Sequence, residues 1–478
     1  MTHTRRSFSS LLLSAPTLAL AAAAKPNIVV ILCDDLGYGD VGCYNPASKI
    51  KTPRLDVLSK QGMRFTDAHS PSAVCTPTRY GLLTGRYCWR TRLKSGVLNG
   101  YSAALIEPGR QTIASLLQKQ GYRTGGFGKW HLGLGTLAKA DYSLELRPSP
   151  NDYGFDHYFG IPASLDMPPY LFFENRKVLE QPTSAIADNG EIKRGPYWRG
   201  GPIAPSFKIE EVIPKIQQQA CTFIAESATS KQPFFAYVAL TGPHTPWVPT
   251  KQFKGKSAAG LYGDFVQQID HTIGQIVDQL DHSAVANNTL LFVTSDNGAP
   301  WEKRDSVEAG GHWANASLRG QKADIQEGGH RIPFLVRWPG KVKAAAVCSE
   351  PICLTDIFAT IAAVEGVNSE AEDSFNLLPL LTGKQGRKPL REAVIHHSSE
   401  GLFSIRQGPW KLVLGRGSGG FTEPVKVVPM PGEPDGELYN IASDPHEDRN
   451  LYQQRPEVVS RMRDLLETYK SRGFSVRR

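Results

Sequence analysis

The feature that most restricts the fold is a series of short apolar segments that alternate with amphipathic ones. Residues 27–32 form a continuous apolar run rich in β-branched side chains, which is typical of a strand buried within a parallel sheet. Further strands are predicted at 122–127, 234–240 and 289–294, and helices at 111–120 and 261–280. Strands that alternate with helices predict an α/β fold with a large, mainly parallel mixed sheet flanked by helices.

The pattern changes after about residue 385. Short strands with turn residues between them are predicted at 393–397, 403–406 and 410–414, and a helix from Pro456 to about Ser471. We therefore expect a large domain over residues 25–385 and a smaller antiparallel sheet with one helix over residues 386–478. Residues 141–232 are rich in Pro, Gly and aromatic residues, which predicts long loops with helical pieces.

Residues 1–24 have the features of a signal peptide. A basic start that contains Arg5 and Arg6 precedes an apolar stretch and the small residues Ala21–Ala24. The arginine pair favours twin-arginine export over an ordinary secretory signal. We therefore expect a periplasmic or secreted protein. No later segment has 18 uninterrupted apolar residues, so no membrane span is expected.

Composition excludes several classes of protein. With 40% hydrophobic and 21% charged residues, the chain is not a disordered one. Seven cysteines in 478 residues are too few for a disulfide scaffold, and their odd number leaves at least one free, paired between chains or chemically special. The net charge is +8, and +6 without residues 1–24, which hold two arginines and no acidic residue. This excess is modest for the size, and no nucleic-acid partner is expected.

Acidic side chains follow two of the predicted buried strands. Asp34 and Asp35 end the first, and Asp296 and Asn297 come after the strand at 289–294. Adjacent acids at a strand end are costly unless something neutralises them. Taken alone, each pair is better explained by a helix cap or an Asx turn. Because both pairs end strands, and a third cluster lies between them in sequence, they predict a site for a hard cation, Ca²⁺ or Mg²⁺.

The third cluster begins at Cys75. The element Cys75-Thr76-Pro77-Thr78-Arg79, followed by the Leu-Thr-Gly-Arg of 83–86, resembles the signature of type I sulfatases in the alkaline phosphatase superfamily. Further motifs of that family occur in the family's order along the chain; they are Asp34-Asp35, Gly128-Lys129-Trp130-His131, Gly160-Ile161-Pro162, Gly242-Pro243-His244, Ser295-Asp296-Asn297-Gly298 and Glu327-Gly328-Gly329. The resemblance implies an alkaline-phosphatase-like catalytic domain that hydrolyses sulfate esters.

The resemblance also implies cofactors. A maturase would oxidise Cys75 to Cα-formylglycine, which is the nucleophile of the family, and a calcium ion, with magnesium as the alternative, would be its metal. The implied metal ligands are Asp34, Asp35, Cys75 in its modified form, Asp296 and Asn297. The ion would lower the pKa of the attacking hydroxyl and act as a Lewis acid.

Roles for further residues follow from the same resemblance. Arg79 and Lys129 would neutralise the nucleophile, and His131 would act as base for sulfate release. His244 and Lys322 would contact the sulfate, with His244 as general acid towards the leaving alcohol. Two further residues are candidates for substrate binding; they are Ser164, which matches a hydroxyl near the site, and His312, which no motif places.

A sulfated carbohydrate is the expected substrate class. The predicted export and the positive charge suit an external sulfated glycan. Four tryptophans near site motifs suggest stacking on sugar rings, although such side chains commonly pack loops instead; they are Trp130, Trp247, Trp301 and Trp313. The alternatives are an aryl sulfatase, a phosphodiesterase or phosphonate hydrolase of the same superfamily, and a non-catalytic glycan-binding relative. The last is expected to have lost motif residues, and none is lost here.

Overall fold

The computed structural model describes residues 24–191, 194–230, 232–386 and 388–476. Residues 1–23, which carry almost all of the expected signal peptide, lie outside the described residues. Within the described ranges, every helix is too short or too polar to span a bilayer.

The described residues form eighteen strands, ten α-helices and four short 3₁₀ segments. The strands are β1 Asn27–Asp34, β2 Met63–Phe65, β3 Ala68–His69, β4 Arg123–Lys129, β5 His157–Ile161, β6 Phe173–Glu174, β7 Lys177–Val178, β8 Ser184–Ile186, β9 Gly201–Ile203, β10 Phe234–Pro243, β11 Thr289–Ser295, β12 Phe334–Arg337, β13 Ala346–Cys348, β14 Ile352–Cys353, β15 Val394–His397, β16 Phe403–Gln407, β17 Trp410–Val413 and β18 Glu437–Asn440. The helices are α1 Pro53–Gln61, α2 Cys75–Thr84, α3 Ile113–Lys119, α4 Val212–Ser230, α5 Gly260–His282, α6 Lys303–Glu308, α7 Glu327–His330, α8 Asp356–Val364, α9 Leu378–Leu381 and α10 Pro456–Arg472. The 3₁₀ segments are Cys88–Arg90, Pro150–Tyr153, Ile209–Glu211 and Ala286–Asn288.

Ten strands form the main sheet, in the order β13-β2-β12-β11-β1-β10-β4-β5-β6-β7. The five central strands, from β11 to β5, are all parallel. Antiparallel pairs join β12 to β11 and β2, and β6 to β5 and β7. The predicted mainly parallel mixed sheet is thus confirmed. All eight residues of β1 are buried, which explains why its sequence is apolar without alternation.

The predicted strands and helices of the main sheet are present, most of them shifted by one to three residues at their ends. The prediction of long loops with helical pieces for residues 141–232 holds for α4, a helix of 19 residues, but missed β5, which joins the main sheet. The strand β5 is short, and its pairing with β4 depends on glycine. A Cβ on Gly160 would lie 1.8 Å from the carbonyl oxygen of Gly128. A strand shaped by such a close approach lacks the apolar period that reveals the others.

A separate four-stranded antiparallel sheet has the order β15-β16-β17-β18 and packs against α10. The sequence predicted its first three strands and the helix but not β18. Buried ion pairs join this sheet to the rest of the protein. Arg406 of β16 contacts Asp67 at 2.8 Å, and Lys411 of β17 contacts Glu327 at 3.1 Å. The boundary at residue 385 stays a prediction.

Candidate active site

The carboxyl ends of the five central strands meet at one edge of the main sheet. Each end carries or precedes a residue predicted for the site; these are Asp296 and Asn297 after β11, Asp34 and Asp35 at the end of β1, His244 after β10, Lys129 and His131 at the end of β4, and Ser164 after β5. Register places Cys33 opposite Ser295 and Asp34 opposite Pro243. This edge is where open α/β sheets bind their ligands.

Cys75 is the first residue of α2, and Arg79 follows one turn later. All ten residues of this helix are buried. Ligand atoms of Cys75, Asp34 and Asp296 lie within 4.8 Å of one another. Burial raises the pKa of the Cys75 thiol, although the charges of Lys129 and Lys322 oppose that rise. The unmodified side chain is therefore held as a neutral thiol, which is a poor nucleophile.

Beside Cys75, each of two buried carboxylates is paired with a cationic side chain. Lys129 donates to Asp34 at 2.7 Å, and Arg79 donates to Asp296 at 2.7 and 3.1 Å. All four side chains are fully buried. Although burial opposes ionisation, the positive charges of Lys129, His244 and Arg79 hold the pKa of Asp34 well below its ordinary value. Burial and the charge of Asp34 raise the pKa of Asp296 to about 6. A further cation would favour ionised Asp296.

Two buried oxygens in this cluster have no hydrogen-bond partner among the described residues. They are Oδ1 of Asp34, which makes only a long ionic contact with Arg79 at 3.5 Å, and Oδ1 of Asn297. The amide of Asn297 donates to Asp35 at 2.6 Å, which directs its own oxygen elsewhere, and Lys322 donates to Asp35 at 2.9 Å. Buried acceptors without donors are costly, and oxygen ligands are what Ca²⁺ and Mg²⁺ take. The residues present therefore fit a hard cation.

The loop that carries Asn297 is locked against a second motif. Gly298 donates its backbone N–H to the carbonyl of Gly329 at 3.0 Å, and a Cβ on Gly298 would lie 1.8 Å from the carbonyl oxygen of Gly328. Close backbone contact thus explains why glycines stand in both motifs. Asp35 has a left-handed backbone, with φ of 66°, which Asp tolerates better than most side chains.

His131 is fully buried, and its two ring nitrogens have different environments. Its Nε2 lies 2.7 Å from the carbonyl oxygen of Leu98, so Nε2 carries the proton and Nδ1 keeps its lone pair. Nδ1 has no partner among the described residues. Burial and the charges of Lys129 and Arg79 hold the pKa of His131 well below its ordinary value, which keeps the ring neutral. A neutral imidazole with one free nitrogen accepts a proton.

His244 lies at the mouth of the cluster, with 11% of its side chain exposed. Its Nδ1 donates to the carbonyl of Thr245, and its Nε2 is 3.7 Å from Asp35. The hydroxyl of Ser164 lies 3.3 Å from the ring and accepts from Lys129 at 3.2 Å. Ser164 therefore connects His244 to the buried charges.

The structure gives His312 another environment. Its ring is buried, Nε2 bonds to Asp40 at 2.7 Å, and Nδ1 accepts from the backbone of Lys49 at 3.4 Å. Both nitrogens are therefore used within the protein, and the geometry gives no support to His312 as a substrate-binding residue.

Two of the four tryptophans are also core residues. Trp130 is fully buried and bonds through Nε1 to the carbonyl of Gly133 at 2.8 Å, and Trp301 is 4% exposed. Trp247 is partly buried, whereas Trp313 is 47% exposed. Of the two roles considered for these tryptophans, packing within the protein rather than stacking on sugar therefore holds for Trp130 and Trp301. The Trp130 ring packs against the rings of Tyr153 and Tyr158.

Comparison with known proteins agrees with this geometry. A sequence model of the sulfatase family matches residues 26–367. An N-acetylgalactosamine-6-O-sulfatase of Bacteroides thetaiotaomicron is 35% identical over 489 aligned positions, which cover 94% of each chain. This chain belongs to the sulfatase family. Human arylsulfatase A is 32% identical across 95% of this sulfatase and 89% of its own length. A solved structure described under metabolism of multiple glycosaminoglycans by Bacteroides thetaiotaomicron is 34% identical, with a TM-score of 0.84, covering 94% of this chain and 100% of that one.

Membership makes this protein a sulfuric ester hydrolase, and the structure brings its motif residues to one edge of the sheet. Sequence reasoning missed the backbone carbonyls of Leu98 and Thr245, which set the proton positions on His131 and His244. Carbonyl groups belong to every residue, so no residue type could have revealed them.

Proposed function

We propose that this sulfatase removes a sulfate ester from a carbohydrate, with the 6-O-sulfate of an N-acetylhexosamine as its first candidate. The observation that carries the substrate class is the 35% identity, over 94% of both chains, with an N-acetylgalactosamine-6-O-sulfatase. The geometry supplies what any sulfate ester needs. Three cationic side chains offset negative charge beside residue 75; they are Arg79, Lys129 and Lys322. Residue 75 also begins the helix α2, and the start of a helix favours a bound anion.

The proposed cofactors are Cα-formylglycine at residue 75 and a calcium ion held by Asp34, Asp35, Asp296 and Asn297. Supporting observations are the neutral, poorly nucleophilic thiol and the two unpartnered oxygens of the cluster. The modification supplies a hydroxyl nucleophile when hydrated, and a calcium ion supplies Lewis-acid stabilisation of sulfate oxygens. A formylglycine-generating maturase is the partner that this proposal requires.

The chain's own residues have proposed roles that follow from their contacts. Arg79 and Lys129 pair with Asp296 and Asp34 and place two positive charges beside residue 75. His244, at the mouth, donates a proton to the bridging oxygen as the S–O bond breaks. Neutral His131 accepts a proton through Nδ1 during release of sulfate. Lys322 and Ser164 orient the sulfate. Export to the periplasm or the exterior is also proposed, on the features of residues 1–24.

A panel of sulfated substrates tests this function. The protein, expressed with a maturase, is incubated with N-acetylgalactosamine 6-sulfate, its 4-sulfate isomer, glucosamine 6-sulfate and nitrophenyl sulfate. We expect desulfation of the 6-sulfated N-acetylhexosamine with the highest kcat/KM. Nitrophenyl phosphate and a phosphodiester in the same assay test whether the protein is instead a phosphodiesterase or phosphonate hydrolase of the same superfamily. Turnover of nitrophenyl sulfate alone would overturn the carbohydrate assignment and favour an aryl sulfatase.

The cation proposal predicts that Asp296→Asn lowers bound calcium and activity together. The substitution keeps the size of the side chain but removes the charge of a ligand. Loss of one ligand is expected to reduce metal affinity and turnover by at least about a hundredfold. Elemental analysis of purified protein measures the calcium, and the matched control is Asp356→Asn. Asp356 is equally buried and pairs with Arg391 at 2.8 Å, away from the cluster. Stoichiometric zinc without calcium or magnesium would contradict the ligand assignment.

A further inference from the structure

A cavity of about 470 Å³ opens beside the loop that carries Lys322. Its volume is within the range of small-molecule sites, roughly 300–1,000 Å³. The side chains that matter here come from three segments; they are Trp301, Trp313, Gln321, Phe421 and Thr422. None of these has a role in the chemistry described above.

Short hydrogen bonds tie this cavity to the sulfate site. The side chain of Asn315 bonds to both backbone groups of Ala299, at 2.9 and 2.8 Å, and Lys322 donates its N–H to the same residue's carbonyl at 3.1 Å. Gln321 accepts from the backbone N–H of Trp301 at 2.8 Å. These hydrogen bonds join the cavity wall and Lys322 to the segment 299–301, which begins two residues after Asn297.

Two large aromatic side chains in the lining are exposed. Trp313 is 47% and Phe421 is 55% exposed, whereas Trp301 in the same lining is 4% exposed. Leaving such rings in water forfeits the burial that would stabilise the fold. Exposed aromatics in a cavity wall are typical of binding sites, where a ligand covers them.

Phe421 comes from the loop between β17 and β18, and that loop is held firmly. Asp324 accepts from the backbone N–H groups of Phe421 and Thr422, at 2.7 and 3.1 Å, and from the Thr422 hydroxyl at 2.5 Å. A Cβ on Gly420 would lie 2.4 Å from the carbonyl of Ala323, so the two backbones touch. The Phe421 ring is therefore attached to a fixed wall, so that little ordering is needed on binding.

We propose that this cavity is a glycan subsite, in which Trp313 and Phe421 cover the sugar ring linked to the sulfated unit. The inference rests on the proposed carbohydrate sulfatase function and extends it to an oligosaccharide substrate. Stacking on aromatic faces suits the apolar faces of a sugar ring. Gln321 donates to the hydroxyl of Thr422 at 3.2 Å and helps to fix the wall that carries Phe421.

Charge does not determine recognition in this cavity. The ionic residues of the lining balance in number, since Lys303 and Arg319 oppose Glu302 and Glu423. A second sulfate group therefore gains little there. We expect the contribution of the subsite to be insensitive to salt, in contrast to binding by a basic surface.

The experiment compares chain lengths. KM is measured for a sulfated monosaccharide and for an oligosaccharide that carries the same sulfated unit, with wild type, Trp313→Ala and Phe421→Ala. Each variant is expected to raise KM for the oligosaccharide about five- to tenfold, at both low and high salt, and to leave the monosaccharide within about twofold. Turnover of nitrophenyl sulfate is expected to be unchanged. The matched control is Val428→Ala, which removes a 77% exposed side chain from the same loop but outside the cavity.

The outcomes separate the two proposals. In one outcome, wild type desulfates both sugars while each aromatic variant has the wild-type ratio of KM for the oligosaccharide to KM for the monosaccharide. In that case the subsite is wrong and the proposed function stands. If wild type desulfates no sugar but hydrolyses nitrophenyl sulfate, the proposed function is wrong, and the subsite with it. An effect that vanishes at high salt would also overturn stacking as the basis of recognition.

Discussion

Replacing Cys75 with alanine is expected to reduce sulfatase turnover by at least about a thousandfold while the protein stays folded. Cys75 is the first residue of α2, and its position within 4.8 Å of two buried carboxylates makes it the proposed nucleophile. The substitution removes one buried sulfur atom, so the cost in stability is expected to be small beside the loss of turnover. Activity on a sulfated sugar and thermal melting are measured on the same preparation.

The control for this experiment is another buried cysteine. Cys88 is 1% exposed and lies outside the cluster of strand ends, so Cys88→Ala is expected to retain turnover. A mass spectrum of the wild-type Cys75 peptide shows whether the maturase has acted. Turnover of Cys75→Ala within tenfold of wild type, with melting unchanged, contradicts the assignment of the nucleophile. An unmodified Cys75 after expression with a maturase would favour a non-catalytic glycan-binding protein.

The acids of the site were predictable because their positions depend on backbone topology alone. Asp34 and Asp296 each end or follow a continuously apolar strand, and parallel strands have their carboxyl ends at one edge of the sheet. Topology brings such residues together whatever loops connect them. The main sheet was predictable for the same reason, since β1, β10 and β11 are buried and apolar along most of their length.

The wrong predictions share a physical cause, which is that nearness in sequence does not set the direction of a side chain. Trp130 lies between Lys129 and His131 but points into the core, and Trp301, four residues after Asn297, is only 4% exposed. The strand β5 was not predicted, because its contact with β4 depends on a close backbone approach at Gly160. Phe421 stands more than a hundred residues from Asn297, and only the contacts of Asp324 bring its loop beside the site. Long-range contacts of this kind have no sequence period.

Loss of His244 is expected to damage hydrolysis of a sulfated sugar far more than hydrolysis of nitrophenyl sulfate. A sugar alkoxide is a poor leaving group that needs a proton, whereas nitrophenolate leaves readily without one. For His244→Ala the loss on the sugar should exceed the loss on nitrophenyl sulfate by a factor of about 10²–10⁴, which is typical of general acid catalysis. His244 lies at the mouth of the cluster with 11% of its side chain exposed and outside the hydrophobic core, so its replacement is expected to leave the core packing intact.

His131→Ala is the matched comparison, because it removes a second histidine from the same cluster. Its proposed role lies after departure of the alcohol, in a step that does not depend on the leaving group, so its loss is expected to lower both turnovers by similar factors. Single-turnover measurements with both substrates establish whether cleavage of the S–O bond limits the rate. If cleavage limits the rate and His244→Ala loses the same factor on both substrates, His244 is not the acid. A larger loss on the sugar for His131→Ala would instead exchange the two roles.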